Sequence, residues 1–522
     1  MDNRASIFFS IIAGVLLVAG FPPFDLYPLT WIALIPLFMA LRDKGAKASF
    51  YIGSLTGLVF FTGALYWVFH SIYYYSSIPA VLSVFIVLLL CLFLSLYIGL
   101  FSMLFALISD RSRMPALFIA PVLWVTLEVV RSYAFTGFPW LLLGYSQYKF
   151  LPIIQIADIT GIYGVSFLVV AFNGAVFDIA VSWPKKIRRM PLLGKSHITA
   201  GVVIYGLLLA ASLIYGFWEL NKSQDKAKTI TASVIQGNIG QDRKWDAASS
   251  KEIVDIYKRL SLEVAAESPD LIVWPEAALP FVFSKGSSSA IDLLDFQKGI
   301  GIHLLTGGIT ENKSETGGSE FANSAILISP KGEVVSVYDK IHLVPFGEYV
   351  PLARFFPFIK KLVIDIGDFR SGEVYTVMEM PPAKIASLIC YEIIFPGLTR
   401  KFVNKGANVL VTITNDAWFG KTPAPYQHFS MAVFRAVENR VPVVRAANTG
   451  ISGFIDTRGR VMGSSGIFVQ AKMTKELSLG PDEKTFYTKF GDLFAFLCII
   501  SSVILIANCL FPERKGKYKE GY

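Results

Sequence analysis

The chain has 522 residues, of which 53% are hydrophobic and 17% are charged, and its mean hydropathy is +0.53. This composition is typical of a membrane protein and excludes a wholly soluble or disordered chain. The formal net charge is +9, but the basic residues lie mainly in loops between apolar runs. Their placement indicates membrane topology and gives no support for nucleic-acid binding.

Eight apolar runs approach the roughly 20 residues that a spanning helix needs. They cover residues 7–22, 27–41, 49–70, 79–109, 115–130, 159–182, 199–218 and 489–511. The first is expected to be an uncleaved span, because it continues through Phe21-Pro22-Pro23 into further apolar sequence. We therefore expect a seven-span bundle over 1–220, a polar domain over 221–487, and a last span with a basic tail over 488–522.

The basic residues set the expected orientation of the spans. If the N-terminus is cytoplasmic, alternate loops carry fifteen basic and five acidic residues, whereas the outside loop 71–78 has no charge. The basic residues are Arg4, Arg42, Lys44, Lys47, Arg111, Arg113, Lys185, Lys186, Arg188, Arg189, Lys195, Arg514, Lys515, Lys517 and Lys519. Cytoplasmic loops are enriched in Lys and Arg. Both termini are therefore expected in the cytoplasm, and the polar domain in the periplasm of a double-membraned bacterium.

The polar domain alternates strand-like with helix-like runs, which predicts a layered α/β fold. Predicted strands cover 229–235, 271–274, 303–305, 321–328, 333–338, 385–390, 409–414 and 441–447, with a last hairpin over 455–461. Predicted helices cover 249–267, 396–405 and 426–439.

Cys390 stands apart from the other cysteines of the chain. Cys91, Cys498 and Cys509 lie inside apolar runs, whereas Cys390 ends a predicted strand of the polar domain. A single thiol in an oxidising compartment is a candidate nucleophile. The alternative is a small buried core residue, a common role for free cysteine.

Two further polar residues end predicted strands in the same domain, namely Glu276 and Lys340. In open α/β sheets, ligands gather outside the carboxyl ends of strands. The carboxylate could take the thiol proton of Cys390. The ammonium could lower the thiol pKa and stabilise an oxyanion. The alternative is an ordinary surface ion pair between Glu276 and Lys340.

Three motifs resemble the carbon–nitrogen hydrolase (nitrilase) superfamily in order and context: Trp274-Pro275-Glu276, the segment 338–348 around Lys340, and Cys390-Tyr391-Glu392. Within that superfamily, the chain resembles the membrane-bound apolipoprotein N-acyltransferases over nearly its whole length. Further matching segments are 236–239, 345–351, 414–420, 427–428 and 448–452.

The resemblance implies an α-helical membrane bundle of about eight spans with an α-β-β-α sandwich that holds a Glu276–Lys340–Cys390 triad. It implies a ping-pong acyl transfer from the sn-1 position of a phospholipid, typically phosphatidylethanolamine, to the N-terminal amine of a diacylated apolipoprotein. A Cys390 thioester would be the intermediate. No cofactor and no metal are implied, and the protein is expected to be a monomer in the bacterial inner membrane.

Supporting roles also follow from the resemblance. Glu348 matches the fourth polar residue of the superfamily site and is expected to orient Lys340. Glu392 matches a position important in the family, and a backbone N–H near Tyr391 is expected to help hold the oxyanion. Asn323, just before an apolar strand, is expected to line the site.

Several aromatic residues are expected to meet lipid. Trp245, Tyr391 and Trp418 match aromatic positions along the expected lipid route, with plain packing as the alternative. Phe355 and Phe356 lie in an aromatic and cationic segment, 352–362, of the kind that settles in the headgroup layer. That segment and a second apolar loop, 281–283, are expected to form a lid, unless they pack on the spans.

Other chemistries fit the sequence less well. The five histidines show no metal-ligand spacing, and there is no Walker-type phosphate loop. A Cys–His protease using His342 is formally possible, but it leaves Glu276 and Lys340 without a role. The remaining alternatives are a membrane-tethered nitrilase-type amidase and a non-enzymatic receptor or transporter with a degenerate hydrolase domain.

Overall fold

The computed structural model describes residues 2–76, 78–112, 114–182, 195–222, 228–244, 246, 248–313, 319–349 and 369–511. Its helices are α1 (Asn3–Ala19), α2 (Leu34–Leu41), α3 (Ala46–Leu65), α4 (Trp67–Tyr75), α5 (Ala80–Arg111), α6 (Ala116–Tyr133), α7 (Leu151–Ile154), α8 (Ala157–Thr160), α9 (Ile162–Ser182), α10 (Lys195–Asn221), α11 (Ser250–Ala265), α12 (Ser288–Ile300), α13 (Pro396–Asn404), α14 (Ala424–Asn439), α15 (Phe486–Phe490) and α16 (Leu493–Leu510). Its strands are β1 (Thr229–Gln236), β2 (Leu271–Val273), β3 (Val282–Phe283), β4 (His303–Lys313), β5 (Ser319–Ile328), β6 (Val334–Asp339), β7 (Val377–Met380), β8 (Ala383–Ile389), β9 (Val409–Thr414), β10 (Val443–Ala447), β11 (Gly453–Ile455), β12 (Val461–Ser464) and β13 (Ala471–Ser478).

Each of the eight predicted spans falls on an apolar helical segment. Among the described residues, six helices are long and apolar enough to cross a membrane, namely α3, α5, α6, α9, α10 and α16. The first two predicted spans fall on the shorter apolar segments Asn3–Ala19 and Tyr27–Leu41. Helix α5 has 32 residues, or about 48 Å at 1.5 Å per residue, so it is longer than a hydrocarbon core of about 30 Å.

Two features of the bundle depart from the predicted spans. The span expected over 49–70 breaks at Tyr66, and α4 follows as a separate helix. The stretch between α6 and α9, expected as an outside loop, is largely buried and holds the short helices α7 and α8. Trp140 and Tyr145 of this stretch are almost fully enclosed, so it forms part of the contact between the bundle and the polar domain.

The polar domain contains two sheets, each with parallel strands at its centre. The first has the order β13-β1-β2-β4-β5-β6, with β3 added beside β4, and its strands β1, β2 and β4 are parallel. The second has the order β12-β11-β10-β9-β8-β7, with β8, β9 and β10 parallel. Because parallel strands end at the same edge, residues after β8 and β9 lie side by side.

The two sheets stack with helices outside them. The inner faces share one core, which includes Val234, Val273, Leu327, Ile385 and Ile413. The outer face of the first sheet packs on α11 and α12, and α13 and α14 cover the second. The expected α-β-β-α sandwich is therefore confirmed. Strands β7 and β13 and helix α12 were not predicted.

Candidate active site

Cys390 lies at a tight bend at the carboxyl edge of the second sheet. It follows the last residue of β8 and starts a 3-10 helix, Cys390–Ile394. Its φ is +53°, a left-handed backbone conformation that is uncommon for a residue with a side chain. Such strain costs on the order of 1–3 kcal/mol and persists where the surrounding structure holds it, often at functional sites.

The side chains of Glu276 and Lys340 lie close together and are buried. Lys340 directly follows β6, and Glu276 lies three residues beyond β2. Lys340 Nζ is 3.6 Å from Glu276 Oε1, and the side chains are only 1% and 8% exposed. A surface ion pair, the alternative interpretation, is therefore excluded.

Glu348 and Asn323 complete this buried cluster. Lys340 Nζ donates to Glu348 Oε1 at 2.8 Å. Asn323 Nδ2 donates both to Glu276 Oε1, at 2.8 Å, and to Glu348 Oε1, at 2.9 Å. The second oxygen of Glu276 accepts from the backbone N–H of Asn415 at 2.8 Å. Both carboxylate oxygens of Glu276 are therefore fixed in direction.

Glu392 ties the bend at Cys390 to the loop that carries Lys340. Its Oε2 accepts from the N–H of Ile389, and its Oε1 accepts from the N–H groups of Ile341 and His342 and from the Tyr338 hydroxyl. Burial raises the pKa of Glu392, and hydrogen bonds from these groups oppose that shift. All four of these groups donate hydrogen bonds to Glu392, which is the arrangement that an ionised carboxylate requires.

The charges of the cluster act on the Cys390 thiol. Burial raises the pKa of Cys390, Glu276 adds to that effect, and Lys340 opposes it. Lys340 therefore lowers the thiol pKa as expected, but burial and Glu276 outweigh it, so the net shift is upward. Burial disfavours the Lys340 ammonium as well, but Glu348 and Glu276 outweigh it and raise the pKa of Lys340. The site thus pairs a protonated thiol with a permanent cation.

This arrangement suits acyl transfer through sulfur. A protonated thiol needs a base at the moment of attack. The charges of Glu276 and Asp416 both raise the thiol pKa, and the effect of Glu276 is the larger, so Glu276 is the candidate base. The fixed ammonium of Lys340 can stabilise an oxyanion without reorganising. His342 is a poor base, because burial and Lys340 lower its pKa to about 4, and its ring packs on Phe395 with centroids 3.8 Å apart. The Cys–His alternative is therefore not supported.

Comparison with known proteins gives the family. Residues 13–175 match the apolipoprotein N-acyltransferase N-terminal domain, and residues 231–476 match the carbon–nitrogen hydrolase domain. The chain is 42% identical over 508 residues to an apolipoprotein N-acyltransferase of Geobacter metallireducens, covering 97% of this chain and 95% of that protein. The chain belongs to the apolipoprotein N-acyltransferase family.

Further similar proteins include members of the same family and of the wider superfamily. An apolipoprotein N-acyltransferase of Pasteurella multocida is 32% identical over 497 residues, covering 93% of this chain and 92% of that protein. Among solved structures, Saccharomyces cerevisiae Nit3, a nitrilase superfamily member, aligns with a TM-score of 0.38 and 20% identity. That alignment covers 50% of this chain and 94% of Nit3.

The aromatic residues predicted along the lipid route of this family member lie in different surroundings. Trp418 packs on α4, with its ring centroid 4.8 Å from that of Tyr75, and its carbonyl accepts from the Ser71 hydroxyl. Tyr391 is half-buried, and its ring lies 5.1 Å from that of Phe395. The remaining predicted residues, Trp245, Phe355 and Phe356, lie outside the described residues.

The lid expected over 281–283 is wrong. Val282 and Phe283 form β3, which pairs in parallel with β4. Phe283 is buried in the outer core of the first sheet, and Phe281 packs against that core. The two phenylalanines gain more from packing on this core than from exposure to solvent, whereas Val282 between them is exposed. The second half of the expected lid, 352–362, lies outside the described residues.

Lys244 is a site residue that sequence reasoning missed. Its Nζ is buried and donates to the backbone carbonyl of Glu276 at 3.0 Å. Burial lowers the pKa of Lys244 to about 8, and the charges of Glu276 and Cys390 oppose that shift. A lysine in a polar loop ordinarily reaches solvent, so the sequence carries no signal for this position. No group of three or more potential metal ligands occurs among the described residues.

Proposed function

We propose that the protein is an apolipoprotein N-acyltransferase that works through a thioester on Cys390. The observation that carries the proposal is the buried cluster of Glu276, Lys340 and Asn323, which lies beside the strained, enclosed thiol of Cys390. Membership of the family and the relatives named as apolipoprotein N-acyltransferases support lipoprotein acylation in a membrane. The substrates are accordingly a phospholipid and a lipoprotein.

The first half-reaction acylates the enzyme. Cys390 Sγ attacks the ester carbonyl while its proton passes to Glu276. The oxyanion is stabilised by the Lys340 ammonium and a backbone N–H near Tyr391. Collapse breaks the ester C–O bond, the alkoxide takes the proton from Glu276, and a lysophospholipid leaves. The donor bond is the sn-1 ester of a phospholipid such as phosphatidylethanolamine.

The second half-reaction transfers the acyl chain to the lipoprotein. The neutral α-amine of an S-diacylglyceryl cysteine attacks the thioester carbonyl. Glu276 takes one amine proton and returns it to Cys390 Sγ as the C–S bond breaks. The products are an amide and a free thiol. An N-terminal ammonium has a pKa of about 7.7–8.0, so it must first lose a proton to solvent.

The remaining sequence predictions become parts of this proposal. The transmembrane bundle is 1–220, the catalytic domain is 221–487, and the last span and tail are 488–522. The protein lies in the bacterial inner membrane with both termini cytoplasmic and the catalytic domain periplasmic, and it acts as a monomer. An impermeant maleimide should label Lys331→Cys in intact spheroplasts; labelling only after lysis would contradict the orientation.

The alternative functions gain no support from the site. A degenerate receptor or transporter domain would not need to keep a carboxylate, an ammonium and a thiol enclosed together at the cost of burying charge. An amidase for small soluble substrates would not need a membrane bundle that reaches into the catalytic domain, as Trp140 does.

A two-substrate transfer assay tests the function. The full-length protein in phosphatidylethanolamine vesicles is incubated with a diacylglyceryl-cysteine peptide. The expected products are a peptide heavier by one acyl chain and an equal amount of lysophospholipid, both absent with Cys390→Ala. A peptide with an acetylated N-terminus is the matched control and should stay unmodified. Lysophospholipid release with free fatty acid and unmodified peptide would contradict the transfer.

A further inference from the structure

The side-chain amide of Gln427, near the start of α14, forms its hydrogen bonds with the membrane bundle. Its Oε1 accepts from the indole N–H groups of Trp140, at 2.8 Å, and Trp67, at 3.2 Å. Its Nε2 donates to the carbonyls of Ala64, at 3.1 Å, and Pro22, at 3.3 Å. Because an indole N–H only donates, the orientation of this amide is fixed. Four residues from three stretches of the bundle thus use all the hydrogen-bonding capacity of one buried side chain.

The next residue, His428, reaches the nucleophile. His428 Nε2 lies 3.1 Å from the carbonyl oxygen of Cys390. A carbonyl only accepts, so Nε2 carries the proton and donates. Arg445 Nη2 lies 3.0 Å from His428 Nδ1 and 3.0 Å from Asp416 Oδ2. Burial and the charge of Arg445 lower the pKa of His428, and Asp416, whose Oδ1 lies 3.1 Å from His428 Nδ1, opposes that shift.

The strained bend at Cys390 is therefore held on two sides. Glu392 accepts from the N–H of Ile389 on one side, and His428 donates to the carbonyl of Cys390 on the other. The bundle also touches the second side directly, because the Trp140 ring stacks on the His428 ring with centroids 5.6 Å apart and an interplanar angle of 26°. The side chain of His428 thus links the carbonyl of Cys390 to the bundle.

We propose that Gln427 and His428 are positioning residues through which the membrane bundle holds Cys390 in its reactive conformation. The bundle would then be a required part of the catalytic geometry in addition to anchoring the domain. A residue with positive φ returns to ordinary backbone geometry when its surroundings release it. Loosening Gln427 should therefore move the sulfur away from Glu276 and Lys340. The inference rests on the proposed role of Cys390 as the nucleophile.

A purely structural contact between bundle and domain is the competing explanation, and Gln155 provides its control. Gln155 is also a fully buried glutamine of the bundle side, with its amide bonded to Arg440 and to the carbonyl of Arg458 in the domain. Among the described residues, its side chain bonds to Leu151, Arg440 and Arg458, and none of these bonds involves Cys390 or His428. Gln155→Leu and Gln427→Leu thus remove the same chemical group at the same kind of boundary.

The test measures single-turnover acylation of Cys390 in full-length protein, using phosphatidylethanolamine vesicles and intact-protein mass. Gln427→Leu should lower the acylation rate constant at least 10-fold with the half-saturating lipid concentration unchanged, and Gln155→Leu should stay within twofold of wild type. Equal rates in the two variants would overturn the inference. Trp140→Phe keeps the stacked ring but loses the indole N–H, so it should slow acylation about 3–10-fold. This variant tests the inference independently if Gln427→Leu does not fold.

A pair of variants at His428 separates positioning from packing. His428→Gln retains an N–H donor, whereas His428→Leu does not. Acylation should be partly restored in His428→Gln relative to His428→Leu, by about 5-fold or more, at similar melting temperature. Equal rates in the two variants would contradict a donor role. If wild-type protein forms no thioester at all, the proposed function fails; if wild type acylates and all these variants match it, only the positioning role fails.

Discussion

Gly307 of β4 leaves no room for a side chain behind Glu276, the proposed catalytic base. A Cβ at this position would lie 2.7 Å from each of three atoms: Glu276 Cα, the Ala277 nitrogen and the Pro275 carbonyl oxygen. An ordinary contact is about 3.5 Å, so Gly307→Ala should push this backbone away by about 0.8 Å. The displaced atoms are all backbone, so no flexible side-chain end can absorb the movement.

The expected consequence is a loss of activity larger than the loss of stability. Overpacking of this kind costs about 1–3 kcal/mol, whereas a misplacement near 1 Å can reduce catalysis about 10²-fold. Gly307→Ala should therefore slow Cys390 acylation about 30–100-fold in single-turnover mass measurements. The matched control is Gly299→Ala in α12, where an added Cβ meets nothing within 4 Å, and its rate should equal wild type. A folded Gly307→Ala protein that acylates at the wild-type rate would refute the assigned role of Glu276.

Three further predictions concern the same site. Glu392→Gln should slow acylation about 10–100-fold, because an amide leaves a buried N–H such as that of Ile389 unpaired. An unpaired buried N–H costs about 1–3 kcal/mol. An unchanged single-turnover rate would argue against this role of Glu392. Burial lowers the pKa of Lys244 to about 8, so its ammonium is present below that pH and lost above it. The acylation rate of the wild type should therefore fall above pH 8, and that of Lys244→Met should fall less. Parallel pH–rate profiles of the two proteins would disprove this. Alkylation of Cys390 by iodoacetamide, followed by peptide mass, should still rise at pH 9.5, because burial raises the thiol pKa; a plateau near the ordinary value of about 8.5 would be inconsistent.

The positions of three site residues at strand ends could be predicted from the sequence. Glu276, Lys340 and Cys390 each follow a short apolar run, and the structure has β2, β6 and β8 there. Their positions could be predicted because a period-2 or fully buried strand leaves a clear pattern and because polar residues often follow its carboxyl end at ligand sites. The assignment of the three residues as a triad rested on the resemblance to the carbon–nitrogen hydrolase superfamily and stays a prediction.

Other parts of the site depend on contacts that no local pattern encodes. Lys244 and His428 are enclosed only when the two sheets and α14 come together, and lone polar residues in a loop or an amphipathic helix ordinarily face solvent. The strand β13 carries Lys472, Lys475 and Glu476 and shows no strict alternation of apolar and polar residues, so its pairing with β1 lacks the usual apolar signal. The run 281–283 was too short to distinguish a lid from an edge strand.

The most direct test of the account is the mass of the intact protein after incubation with phosphatidylethanolamine alone. The account predicts a hydroxylamine-labile gain of one acyl chain. The gain should be absent in Cys390→Ala and should disappear when a diacylglyceryl-cysteine peptide is added. A folded, lipid-bound protein without any adduct would contradict the Cys390 thioester and with it the proposed mechanism.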